Sequence, residues 1–194
     1  VARPKEFDPV AVLDKATELF WQNGYEATSM TQLTERLGIG RASLYATFGD
    51  KHELYLEALR HYFESADPGP VELLSQPGPA LPGVRTVVEL FAHLAVHDEQ
   101  RKGCLVVNSA TELMPRDAAV ARIVESIWDT LETALTSALM RARAQGELSE
   151  GKDPRALARF LLVFLQGVRV MGRGSPNPAR VHDAVESAMT LVEG

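Results

Sequence analysis

At 194 residues the chain is long enough to bury a core and to form one or two domains. No apolar run reaches the length of a membrane span, no signal-peptide pattern opens the sequence, and one cysteine excludes an internal disulfide; a cytoplasmic protein without a membrane partner is expected. The formal net charge is −6, and residues 1–55 hold six Lys/Arg against eight Asp/Glu, so bulk charge gives no nucleic-acid footprint.

Taken in order, almost everything reads helical, and no stretch alternates as a strand. Asp8-Pro9 opens a first helix, with Val12, Leu13, Ala16, Leu19 and Phe20 at helical spacing, and Gly24 ends it. Ser29 and Gln32 form a capping box ahead of a second helix carrying Leu33 and Leu37. Gly38-Ile39-Gly40 stops that helix, because glycine tolerates the left-handed backbone of a tight turn. A third helix runs from about Arg41 to Phe48, with Leu44 and Phe48 inward. Eight residues make a rod of roughly 12 Å, the width of a DNA major groove. Asp50 and Glu53 then start a fourth helix, Lys51 to Ser65. Short helix, glycine turn and short helix form a helix-turn-helix, whose second helix reads base edges.

Residues 67–83 carry five prolines and mark a domain boundary or long loop, with at most a short helical turn over 71–74. Further helices are expected from about Val84 to Gln100, from Gly103 to Met114, and from Asp117 to Gly146. The last two open at Asp153-Pro154 and Asn177-Pro178, each a polar cap followed by proline. The expectation is an all-α protein of about nine helices. Residues 1–66 would form the helix-turn-helix domain, with its motif over about 29–48, and residues 67–194 a helical ligand-binding and dimerisation domain.

The stretch Val12 to Leu59 resembles the DNA-binding domain of the tetracycline-repressor family of transcriptional regulators. The resemblance rests on Leu13, Ala16, Phe20, Gly24, Tyr25, Thr28, Ser29, Leu33, Gly38, Leu44, Tyr45, Phe48, Lys51 and Leu54, with LYATF followed by GDK as its most specific part. Gly40 stands where the family usually has serine, so the third helix has a weaker cap. The resemblance implies a dimeric repressor of a palindromic operator, released when a small molecule binds the C-terminal domain and tilts the fourth helix. It also implies that Tyr45, Lys51, Thr28 and Thr31 hold phosphates.

The helical wheel turns Ala42, Ser43 and Ala46 outward on the third helix, with Tyr45 and Thr47 on its flanks; Arg41 and Ser43 are the candidate hydrogen-bonding readers. Arg3 and Lys5 are candidates for an arm over the backbone or minor groove. Amides at the starts of the second and fourth helices offset the missing bulk charge. Phe91, Leu94, Ile127, Trp128, Leu131 and Phe164 are candidates for an apolar effector pocket, with Cys104, Asn108 and Glu112 as polar contributors. The plainer reading of the apolar residues is ordinary core. Cys104 follows Arg101-Lys102-Gly103 at a helix start, so a redox-sensing regulator acting through its thiol is an alternative. His93 and His97 lie one turn apart but lack obvious further ligands, so no metal and no cofactor is expected.

The segment RALARFLLVFLQGVRVM is apolar nearly all round, so one face meets its own core and the other needs a partner. The expected dimer surface is Phe160, Val163, Phe164, Gly167, Val168 and Met171, joined by Val185, Ala188, Met189 and Val192 of the last helix. Two other classes remain: a small helical enzyme and a helical protein-interaction module. No nucleophile-elbow, zinc-helix or phosphate-loop motif supports the enzyme.

Overall fold

The computed structural model describes residues 7–174 and 177–194, so the expected arm at Arg3 and Lys5 lies outside the described residues. It is all-α, with no strand among the described residues. Among the described residues ten helices follow one another: α1 Pro9–Asn23, α2 Met30–Leu37, α3 Arg41–Phe48, α4 Lys51–Glu64, α5 Pro70–Ser75, α6 Ala80–Val96, α7 Leu105–Glu112, α8 Ala118–Ala144, α9 Pro154–Gly172 and α10 Pro178–Glu193. Their ends follow local chemistry. The Asp8 carboxylate accepts from the Val10 amide 2.9 Å away, and Pro9 occupies the first turn of α1. Ser29 and Gln32 close the capping box in both directions, at 3.2 and 2.8 Å. Gly38 ends α2 at φ 71°, a left-handed backbone that a side chain would strain. Asp153 and Asn177 cap α9 and α10, each just ahead of a proline.

The proline-rich stretch is more helical than expected. The anticipated single turn is a six-residue helix, α5, and α6 begins at Ala80 rather than Val84. The reason is remote in sequence. The Glu147 carboxylate accepts from the amides of Ala80 and Leu81, at 3.0 and 2.9 Å. These are two of the donors a helix start leaves open. Pro82 then falls in the first turn, where its missing N–H is harmless.

The chain divides into two compact units. The first contains residues up to 65 together with 108–124, and the second 66–107 together with 125–194. The sequence expectation placed a single boundary near residue 66; the partition adds 108–124 to the first unit. In the first unit α1 lies against α4 and α2, and Ala16, Phe20, Leu33, Leu44, Leu54, Tyr55 and Leu59 are fully buried. In the second, Val84, Val87 and Val88 of α6, Leu135 and Leu139 of α8, Leu161 and Leu165 of α9, and Met189 of α10 share one core. Helices α6 and α9 approach closely at Gly172, where an added Cβ would fall 2.7 Å from the Ala95 Cα.

Candidate functional site

The first unit presents a two-sided α3. Leu44 and Phe48 are buried beneath it, while Arg41, Ala42, Ser43, Tyr45 and Ala46 are exposed and Thr47 is half-buried. The buried pair fixes the rod; the outward row carries three guanidinium- or hydroxyl-bearing residues, Arg41, Ser43 and Tyr45, and two alanines small enough to let a backbone approach. Gly40 gives α3 no side-chain cap, as its sequence foretold. Thr31 is exposed in the first turn of α2. Lys51 opens α4 half-buried, its Nζ 4.2 Å from the centre of the Tyr25 ring, a cation–π contact that steers the ammonium.

Thr28 departs from the expected phosphate row. It is fully buried, and its hydroxyl donates to the Gly24 carbonyl at 2.6 Å, so it ties the turn between α1 and α2. Sequence position alone had put it beside Ser29 at the helix start, but one residue earlier the backbone turns its side chain inward.

The same turn accounts for Glu112. The carboxylate expected to orient an effector accepts from the amides of Tyr25 and Glu26, at 3.1 and 2.9 Å. An added Cβ at Gly24 would meet it at 2.9 Å. Glu112 therefore belongs to the scaffold of the first unit. Two further bonds within this unit had no sequence signal, because their partners are far apart in the chain. The Tyr55 hydroxyl bonds the Ser109 hydroxyl at 2.7 Å, and His52 meets Asp117 at 2.7 Å. Burial pushes the Tyr55 phenol up to about 12, against the opposing Ser109 bond. Burial alone would raise the Asp117 carboxyl; the Val120 amide, His52 and the Ala119 amide outweigh it and hold the carboxyl below its ordinary value.

In the second unit the expected effector residues separate. Ile127 and Leu131 are buried, Phe91, Trp128 and Phe164 are half-buried, and Leu94 is exposed at 44%. Leu94 thus does not line an interior pocket, although it follows buried Val87 by two turns on the same side of α6. Asn108, although buried, falls with Glu112 in the first unit. Cys104 is buried at the start of α7, after a loop in which the Gly103 amide donates to Asp98 at 2.6 Å. His93 and His97 stack at 4.2 Å on the exposed side of α6, and no metal-competent cluster of His, Cys, Asp or Glu occurs among the described residues. They line a surface groove of about 350 Å³ between α6 and α10.

The dimer surface needs the largest revision. Phe160, Val163, Gly167 and Met171 of α9 are exposed, Val163 at 72%, and Phe164 is half-buried. Val168, Val185, Ala188, Met189 and Val192 are instead buried within the chain's own core. The apolar stripe of α10 is only one face wide, and α6 and α9 already occupy it. The outward apolar residues that sequence reasoning passed over are Val170 on α9, Leu191 on α10 and Met140 on α8. Also unremarked was Arg169, the charge near the end of the apolar α9; it is 4% exposed. No helix among the described residues is long and apolar enough to cross a membrane.

The chain resembles known proteins in sequence and in fold. Residues 12–58 match the family model for bacterial regulatory proteins of the tetR family, and residues 80–190 the model for a tetracyclin repressor-like C-terminal domain. YezE, an uncharacterized HTH-type transcriptional regulator of Bacillus subtilis (strain 168), is 35% identical over 194 residues, the whole of both chains. The HTH-type transcriptional repressor ComR of Escherichia coli (strain K12) is 33% identical over 172 residues, 88% of this chain and 82% of its own. A cysteine-substituted form of the TetR family transcriptional regulator CifR, complexed with a 26-base-pair operator duplex, has a similar fold. Its TM-score is 0.86 at 30% identity, with 98% of this chain and 100% of that chain covered.

Proposed function

Because this chain belongs to the tetracycline-repressor family of bacterial regulatory proteins, we propose that it is a homodimeric, effector-released repressor of a palindromic operator. Each subunit lays α3 in a major groove, and the two half-sites lie about one helical turn apart or a small multiple of it. The observation that carries this reading is the outward row Arg41, Ala42, Ser43, Tyr45 and Ala46 on a helix whose other face is anchored by buried Leu44 and Phe48. Arg41 and Ser43 reach base edges, the alanines meet thymine methyls, and Tyr45, Thr31 and Lys51 hold phosphates. Thr47 flanks the row. Two solved structures of one relative, CifR, each complexed with a 26-base-pair operator duplex, support the DNA-binding reading. The protein works in the cytoplasm as a regulator and not as an enzyme.

Dimerisation uses the outward apolar face of α9, with Leu191 of α10 beside it. An effector held in the second unit shifts the head through α4, so that the two copies of α3 no longer match their half-sites. A coupling of about 1.4 kcal/mol already weakens the operator complex tenfold, so a small displacement suffices.

The test is a gel shift with the DNA upstream of the protein's own gene. The wild-type dimer retards it, and Tyr45→Ala combined with Lys51→Ala abolishes retardation at moderate salt while the dimer persists. Unchanged affinity in that double variant would overturn the docking.

A further inference from the structure

Lys51 begins α4 three residues after α3 ends. A lysine carries its charge on a flexible four-carbon stem and gives up rotamer freedom when it meets a phosphate. Here the direction of the stem is already set. The ammonium lies 4.2 Å from the centre of the Tyr25 ring, and no carboxylate pairs with it among the described residues. Burial, then Asp50, Glu26 and Asp117, raise the Tyr25 phenol above its ordinary value, so a neutral ring offers its face. An ammonium has three N–H donors; the ring covers one side of it and leaves donors for an anion.

The ring is itself held in place. Phe20 stacks with it at 6.3 Å, and Tyr55 meets it edge-on at 5.0 Å. Its backbone is held by Glu112 of α7, 87 positions further along the chain. The carboxylate accepts from the Tyr25 amide at Oε2 and from the Glu26 amide at Oε1, at 3.1 and 2.9 Å. Two oxygens on successive amides fix both peptide planes, and with them the direction in which Tyr25 leaves the turn. Around them the turn closes on itself: the Gly24 amide donates to the Phe20 carbonyl and the Thr28 amide to the Tyr25 carbonyl. Gly24 also leaves the room the carboxylate needs, since an added Cβ would fall 2.9 Å from its Oε2. Arg116 reaches Glu26 at 3.1 Å, but both side chains are 61% exposed and solvent screens that pair.

We propose that Glu112 is a positioning residue for DNA binding: by holding the Tyr25–Glu26 turn it sets the ring that aims Lys51 at a phosphate. Glu112 touches no DNA itself. Its action runs through Tyr25 to Lys51, all within the first unit. This rests on the reading of Lys51 as a phosphate contact, and the experiment separates the two.

The full chain is titrated, across a series of salt concentrations, against two labelled duplexes followed by fluorescence anisotropy. One is the DNA upstream of the protein's own gene; the other is a short duplex of unrelated sequence. Lys51→Ala should weaken both by about tenfold or more and lower the salt slope of log Kd by about one per subunit. Glu112→Gln, which offers one acceptor oxygen in place of two, should weaken both about three- to tenfold and lower the slope in the same direction. Tyr25→Leu should do likewise, and Tyr25→Phe, which keeps the ring face, should restore what Tyr25→Leu loses. With Lys51→Ala already in place, Glu112→Gln and Tyr25→Leu should each change affinity by less than about twofold, because the group they position is gone. A head that is merely loosened would lose the same factor in both backgrounds and keep the wild-type slope. Circular dichroism checks each variant; should Glu112→Gln not fold, Glu112→Asp, too short to span both amides, and Tyr25→Leu take its place in the cycle. Losses that add to that of Lys51→Ala, or a wild-type salt slope in Glu112→Gln, overturn the positioning role and leave the phosphate contact standing. Wild-type affinity and slope in Lys51→Ala would overturn both.

Discussion

Two outward faces of this molecule are built alike and differ in what they show. Helix α3 is pinned from below by Leu44 and Phe48, and α9 by Leu157, Leu161 and Leu165. Outward, α3 shows Arg41, Ala42, Ser43, Tyr45 and Ala46; α9 shows Phe160, Val163, Val170 and Met171. The first face is short, small and hydrogen-bonding, so water covers it readily. The second is a ladder of apolar side chains at helical spacing, which water covers poorly. Exposure alone does not distinguish the two faces; the chemistry of the exposed row does.

The comparison is broken most sharply on α9. Val163→Asp puts a charge at the centre of the apolar ladder, at a position exposed in the single chain, so each subunit still folds. Sedimentation should show the mass halved, and operator affinity should fall by about a hundredfold or more as the two heads lose their linkage. A dimer that survives Val163→Asp would place the interface elsewhere.

The inner side of the same helix gives the next effect. Gly172→Ala sets a methyl 2.7 Å from the Ala95 Cα, with backbone on the other side of the contact. Overpacking of this kind costs about 1–3 kcal/mol and lowers the melting temperature by several degrees. An unchanged melting curve would mean that α6 and α9 slide apart freely.

In the first unit the matching probe is Tyr55→Phe. The phenol has its folded-state value raised from 10.0 to about 12, chiefly by burial. The unfolded chain ionises first, so this contribution is whole below pH 10 and is lost as pH rises through about 12. Tyr55→Phe should cost about 1 kcal/mol at neutral pH through the lost Ser109 bond, and should flatten the alkaline limb of the stability profile. Parallel alkaline limbs in the two proteins would show that another group causes the loss.

The smallest effect sharpens the α3 side. Gly40 caps α3 with no side chain, at φ −68° and with open space around a would-be Cβ. Gly40→Ser should stabilise the protein by a few tenths of a kcal/mol. A measured destabilisation would mean that the serine cannot reach the open amides of α3.

Much of the fold was legible because it is written in short range. The capping residues Asp8, Ser29, Asp50, Asp153 and Asn177 stand within three positions of the amides they hold. The outward row of α3 follows from helical periodicity and two buried residues. The errors have a common cause: they concern side chains whose partners lie far along the chain. Glu147 starts α6 four residues early, Glu112 serves the Tyr25–Glu26 turn, and Leu94 and Val185 exchange the exposures expected of them. Apolar periodicity marks a stripe but not its neighbour, so the buried stripe of α10 and the open one of α9 read alike.

By itself, then, the order of residues determined the helices, their caps, the glycine turn and the family of the DNA-binding head, since each depends on contacts within a few positions. Which apolar stripe would be covered and which left open, and that Arg169 of α9 would be buried, were decided only when helices distant in sequence packed together. Burial is a property of that packing and not of any local stretch.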